Sequence, residues 1–198
     1  MADILYKYKT SVYANITNKC NCRCTFCIRF LKDGVGDADT LWHQVNPTTE
    51  EVIEAIRGYD FEGFDELVFC GYGEPTCALD ILLEAARVAK EEKGLKTRLN
   101  TNGLGNEENG RNIVPELAEV IDSVSISLNA PDSAKYESVT RPQVEGAFDK
   151  MVDFAGKCKE EIGNVKWSIV DVLPEDQIEA CKQLSEKTGI ELRIRHFT

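Results

Sequence analysis

Apolar and polar positions change their period again and again along this chain. Residues 11–16, reading Ser-Val-Tyr-Ala-Asn-Ile, have the short apolar pattern of a strand. Comparable β-like runs recur at 66–70, 95–101, 122–129, 165–172 and 190–197. Between them the spacing lengthens to the helical period. Thr48-Thr49-Glu50-Glu51 reads as a helix start with acidic residues in the first turn, where they favour the positive end of the helix dipole. Further helices are expected at 78–92, 113–120, 144–157 and 174–187, with Pro115 near the start of one and Gly189 closing another. Residues 17–29 form a Cys-rich loop and 33–39 a Gly- and Asp-rich one. No linker or low-complexity stretch interrupts the series, so residues 1–198 read as a single domain.

Strict alternation of strand and helix predicts an α/β fold with a parallel sheet and helices outside it. Six βα units fall short of the eight of a closed TIM barrel, so a partial, open barrel is expected. A flat doubly wound sheet is the alternative. Val124-Ser125-Ile126-Ser127-Leu128-Asn129 bears on the choice. Successive strand side chains point to opposite faces, which leaves Ser125, Ser127 and Asn129 together on a polar face. A doubly wound sheet buries both faces in apolar residues, whereas a curved sheet can enclose a wet or ligand-filled lumen. Arg98, Asn100, Arg193 and Arg195 can line that lumen, or the arginines can mark an exposed edge strand.

Composition narrows the classes. The formal net charge of −11 disfavours extended nucleic-acid binding, which relies on Lys and Arg. No apolar run approaches the ~18 residues of a membrane span, and the alternating N-terminal stretch lacks the apolar core of a secretory signal. Eight cysteines in such a chain imply reduced thiols or metal ligands and a cytoplasmic setting.

The chemistry concentrates in Thr17-Asn18-Lys19-Cys20-Asn21-Cys22-Arg23-Cys24-Thr25-Phe26-Cys27, a C-x3-C-x2-C spacing just after the first strand run. Loops after strands form the active face of a parallel barrel. Iron–sulfur clusters usually take four cysteines, so three leave one iron open to an outside ligand. Zinc stays open as an alternative if Cys22 supplies a fourth ligand, although no second C-x2-C or His pair follows. Cys158 and Cys181, on expected helices, read as core residues. Cys22, Cys70 and Cys77 fall on loops or strand ends of the active face without an assigned role.

With Phe26 as its aromatic residue, Cys20, Cys24 and Cys27 resemble the C-x3-C-x-aromatic-C signature of the radical S-adenosylmethionine (SAM) superfamily. That resemblance implies a [4Fe–4S] cluster on these three cysteines, with SAM chelating the open iron. It implies reductive cleavage of SAM to a 5′-deoxyadenosyl radical that abstracts hydrogen from a substrate. Gly71-Tyr72-Gly73-Glu74-Pro75 resembles the family's G-G-E-P element near the SAM amino group, with Tyr72 in place of one glycine. Asn100-Thr101-Asn102-Gly103 resembles its TNG element. Ser127 and Asn129 match positions that contact SAM, and Arg141 is a candidate for its carboxylate. The opening cysteine segment and Phe69-Cys70-Gly71-Tyr72-Gly73-Glu74-Pro75-Thr76 look most like the small TatD-associated members. The resemblance therefore implies an external electron donor of flavodoxin or ferredoxin type, and association with a TatD-type hydrolase. Carboxy-deazaguanine-synthase-like and glycyl-radical-activase-like enzymes are alternatives, although Asn129 stands where activases typically carry Lys. A non-catalytic metal-binding partner of a hydrolase is the alternative from another class.

Overall fold

A computed structural model describes residues 2–196. The chain opens with a hairpin of β1 (Leu5–Tyr8) and β2 (Ser11–Ala14), paired antiparallel with Tyr8 opposite Ser11. Then follow α1 (Thr49–Gly58), β3 (Glu66–Phe69), α2 (Leu79–Glu91), β4 (Lys96–Thr101), α3 (Gly105–Asn109) and α4 (Val114–Val120). β5 (Ser123–Ser127), α5 (Ser133–Thr140), α6 (Ala147–Glu161), β6 (Val165–Val170), α7 (Glu175–Thr188) and β7 (Glu191–Arg195) complete the order. The expected end of the last strand at Phe197 lies outside the described residues.

One seven-stranded sheet runs in the order β1-β2-β3-β4-β5-β6-β7. β1 is antiparallel to β2, and every other neighbouring pair is parallel. Because the strands pair in chain order, each helical crossover returns to the neighbouring position, as in a barrel wall. The hairpin strand β1 is absent from the sequence-based expectation. Its four residues alternate Leu, Tyr, Lys, Tyr, and its turn at Lys9-Thr10 lacks the Asn-Gly or Asp-Gly pair that marks a hairpin. Helices α3 and α5 are likewise additions.

Strand β5 separates two layers. Val124 and Ile126 are fully buried and join a core with Leu117, Met151 and Phe154 of the covering helices. Ser125 and Ser127 face the other way, into a cavity that Asn100 and Asn129 also line. The same split runs along β4, where Thr97, Leu99 and Thr101 are buried while Arg98 and Asn100 look into the cavity. Arg193 and Arg195 sit on β7, at the edge of the sheet, and line that cavity while staying exposed. Both readings of these arginines therefore hold at once.

The helix start at Thr48 is a full capping box. Thr48 Oγ1 accepts from the Glu51 amide at 3.2 Å, and Glu51 Oε2 accepts from the Thr48 amide at 2.8 Å. At the far side of the sheet the fully buried Trp167 donates its indole N–H to Thr188 Oγ1 at 3.0 Å.

The two faces of β5 predict opposite outcomes. Ile126→Ala should cost about 2–5 kcal/mol in anaerobic urea unfolding. Ser127→Ala, one residue away on the cavity face, should change stability by less than about 0.5 kcal/mol. Equal losses at the two positions would contradict the layer assignment.

Candidate active site and metal centre

The cysteine loop is held by its backbone. Lys19 O accepts from the Glu74 amide at 2.8 Å. The amides of Arg23 and Thr25 donate to the carbonyls of Thr140 and Val139 at 2.9 and 2.8 Å, at the end of α5. The Gln143 amide donates to Asn21 O at 2.9 Å. Cys20, Cys24 and Cys27 are free thiols and half-buried. Burial pushes Cys20 up to about 11, with Glu74 adding to the rise and Arg29 opposing it. Burial pushes Cys24 up to about 12, with Cys27 and Cys20 adding and Arg29 again opposing.

Among the described residues, no three His, Cys, Asp or Glu side chains stand together as a single-ion site. A [4Fe–4S] cluster asks for a different arrangement, with one thiolate to each of several irons. Three half-buried thiols on one loop, two of them lining a cavity, fit that demand.

Glu74 organises the loops around them. It is 4% exposed and accepts four hydrogen bonds. Its Oε1 accepts from the Thr76 amide at 3.1 Å, Thr76 Oγ1 at 2.8 Å and Thr101 Oγ1 at 2.7 Å. Its Oε2 accepts from the Asn102 amide at 2.7 Å. Burial pushes the carboxyl upward, and these donors pull the other way. Through its own amide to Lys19 O, Glu74 joins the loops after β2, β3 and β4.

The glycines beside it are set by close packing. A Cβ on Gly73 would come within 2.7 Å of Lys19 O, and one on Gly71 within 2.7 Å of Asn15 Cγ. Asn15 is fully buried, donates to Leu41 O at 2.8 Å and accepts from the Tyr72 amide at 3.2 Å. Tyr72 in turn donates its hydroxyl to Lys32 O and packs edge-on against Trp42, centroids 5.2 Å apart. The Asn15–Tyr72 clasp holds the long loop before α1, and nothing local in the sequence marks it.

A cavity of about 440 Å³ opens beside the thiols. Of the sequence-based candidates, Cys24, Cys27, Phe26, Gly71, Tyr72, Asn100, Ser127 and Asn129 line it. Asn129 is buried and left-handed (φ 58°), with the Ala130 amide donating to Leu128 O at 2.7 Å across it. Such a conformation in a non-glycine residue costs energy and concentrates at functional sites. Cys20, Gly73 and Glu74 stand behind the wall. Asn102 faces the cysteine loop: its Nδ2 donates to Asn21 Oδ1 at 2.6 Å and lies 3.5 Å from Cys22 Sγ and 4.0 Å from Cys20 Sγ. Arg141 is the exposed, left-handed cap of α5 and is not among the lining residues. Cys70 lines the cavity, Cys22 is buried beside Asn102, and Cys158 and Cys181 are core residues. Tyr6 and Tyr8 of β1, absent from the expectation with that strand, complete the wall with Lys9 of the turn and Tyr13 of β2.

These features belong to an α/β enzyme class that carries its cofactors at the strand ends. The chain belongs to the radical SAM superfamily, whose description matches residues 14–187. Members of that superfamily are enzymes that work with a [4Fe–4S] cluster and SAM. It is 31% identical over 192 residues to molybdenum cofactor biosynthesis protein 1 of Mus musculus, covering 92% of this chain and 27% of that protein. It is 31% identical over 168 residues to a putative glycyl-radical enzyme activating enzyme of Methanocaldococcus jannaschii, covering 83% and 53%. A GTP 3',8-cyclase of Chlorobaculum tepidum is 31% identical over 143 residues, covering 69% and 39%. The chain thus spans about a quarter to about half the length of these curated relatives. Among solved structures, native anSMEcpe with bound AdoMet superposes with a TM-score of 0.66 at 16% identity, covering 93% of this chain and 50% of that one. A radical SAM methyltransferase from Sphaerobacter thermophilus gives 0.62 at 14% identity, covering 97% and 68%. These likenesses carry the fold.

Glu74→Gln should lower stability by about 1–3 kcal/mol, because the amide brings an N–H₂ against donors that need an acceptor. It should also lower the iron bound per chain after anaerobic reconstitution. A variant with unchanged unfolding and full iron content would contradict the tie among the three loops.

Proposed function

We propose that this chain binds SAM on the cavity side of a cluster held by Cys20, Cys24 and Cys27, and uses it to abstract hydrogen from an organic substrate. The observation that carries the reading is the shared wall: Cys24 and Cys27 line the same cavity as the polar strand ends Asn100, Ser127 and Asn129. When bound, the reduced cluster and SAM supply the 5′-deoxyadenosyl radical. The chain's own part is to hold and orient. Ser127 and Asn129 offer hydroxyl and amide groups to the polar parts of SAM, and Gly71 and Tyr72 offer backbone beside them. The buried Glu74 network keeps the loops that carry these groups in register with the thiols. A half-buried cavity lined by Phe26, Ile28 and Leu41 excludes water from a reactive intermediate.

On this reading residues 1–198 form one catalytic core. The electron comes from an external protein of flavodoxin or ferredoxin type. Within the superfamily, the cysteine opening and the Phe69–Thr76 segment support a place among the TatD-associated members, with a TatD-type hydrolase as a partner. No helix among the described residues is long and apolar enough to cross a membrane. A glycyl-radical-activating role is a second reading, favoured by the likeness to the Methanocaldococcus jannaschii protein.

Anaerobic reconstitution with iron and sulfide, followed by dithionite and SAM, tests the reading. 5′-Deoxyadenosine and methionine should form, and Cys20→Ala, Cys24→Ala or Cys27→Ala should reduce formation by at least ~100-fold, the scale expected when a metal site is lost. Iron-loaded protein that makes no 5′-deoxyadenosine would contradict the enzyme reading. Protein that holds zinc and no iron would contradict the cluster itself.

A further inference from the structure

The cavity's charge is the reverse of the chain's. The sequence carries 34 Asp and Glu against 23 Lys and Arg. Yet Lys9, Arg98, Arg193 and Arg195 line the cavity, and no Asp or Glu is among its described lining residues. A wall of one sign in an oppositely charged protein focuses attraction on a ligand of the other sign.

Among the described residues, Arg98 is the one of these cations that a carboxylate pairs. Glu66 takes Arg98 Nη2 at 3.0 Å, Asp171 takes His196 Nδ1 at 2.6 Å, and Glu191 takes Lys166 at 2.9 Å. Arg193 and Arg195 have no ion pair among the described residues. They alternate on β7 and so project to the same face. Deeper in, Arg98 Nε and Asn100 Oδ1 are buried without a hydrogen-bond partner. A buried polar atom without a partner is costly, and a ligand can supply the missing bond.

β7, which carries Arg193 and Arg195, closes one edge of the sheet, five strands from β2, after which the cysteine loop runs. The hairpin adds an aromatic wall of Tyr6, Tyr8 and Tyr13 to the same cavity. The Tyr13 ring stands 5.4 Å from that of Tyr6 and 5.6 Å from that of Tyr8.

We infer that the substrate is a ring-bearing organic anion, its carboxylate or phosphate held by Arg193, Arg195 and Arg98 and its ring packed on the Tyr8–Tyr13 wall. Guanidinium forks match both acid groups. The inference rests on the proposed function, since it assigns the part of the cavity away from the cluster to the second reactant.

Anaerobic calorimetry on the reconstituted protein loaded with SAM tests it. The probes are GMP as the phosphate arm and 4-hydroxybenzoate as the carboxylate arm. Guanosine and 4-hydroxybenzyl alcohol are their neutral counterparts. At least one anion should bind beside SAM, roughly tenfold or more tighter than its neutral counterpart, and the tighter arm names the acid group. Arg193→Ala with Arg195→Ala should weaken the anion by a similar factor, and Arg193→Lys with Arg195→Lys should restore part of it. The inference is overturned if neither anion binds, if the neutral compounds bind equally, if the alanine pair changes nothing, or if SAM and the anion displace each other. 5′-Deoxyadenosine formation by the unsubstituted protein without any anion is measured in parallel. Its presence with failed anion binding sinks this inference alone, and its absence sinks the proposed function instead.

Discussion

A single buried carboxylate holds this site together. Glu74 O and N atoms reach the cysteine loop, the turn after β3 and the turn after β4, and the three bonds to Oε1 are buried. Hydrogen bonds to a charged acceptor are the strong ones, and an unmatched group there would carry its full desolvation cost. The three loops are therefore locked to one another before any cofactor arrives. Asn102 extends the lock, since its amide N–H reaches Glu74 while its side chain reaches Asn21 and the Cys22 sulfur.

That lock explains why the sequence can afford so polar an interior. The helix-facing side of the sheet is apolar, with Leu99, Val124, Ile126 and Trp167 fully or nearly fully buried. The opposite side carries Arg98, Asn100, Ser125 and Ser127, polar residues that line the cavity. The stability sits in one layer and the chemistry in the other. Substrate and cofactor recognition can then vary along β4, β5 and β7 without disturbing the packing beneath them.

Much of this was legible from residue order. The alternation of Val124–Asn129 separated the apolar face from the polar one, and the cysteine spacing, the Gly-Tyr-Gly-Glu-Pro turn and the Asn-Thr-Asn-Gly turn marked three successive strand ends. What escaped was non-local or weakly patterned. Strand β1 spans four residues with no turn signature after it. In α5 only Tyr136 and Thr140 are buried, too few to trace a helical stripe. The contacts of Glu74 with Thr101 and Asn102 cross 27 and 28 residues, a distance over which periodicity carries no signal. The resemblance sets Gly71 and Gly73 near the SAM amino group, and the room beside each is taken by Asn15 and by the Thr17–Lys19 backbone. The likeness to cyclases and activating enzymes carries the superfamily, while the proposed choice of substrate rests on the hairpin and β7 side chains that line the cavity.

The central claim is that Cys20, Cys24 and Cys27 leave an iron on which SAM acts. Electron paramagnetic resonance of the reconstituted, dithionite-reduced protein tests it most directly, recorded before and after SAM is added. The account predicts a cluster signal whose line shape changes when SAM binds. A cluster signal that SAM leaves unaltered would contradict it.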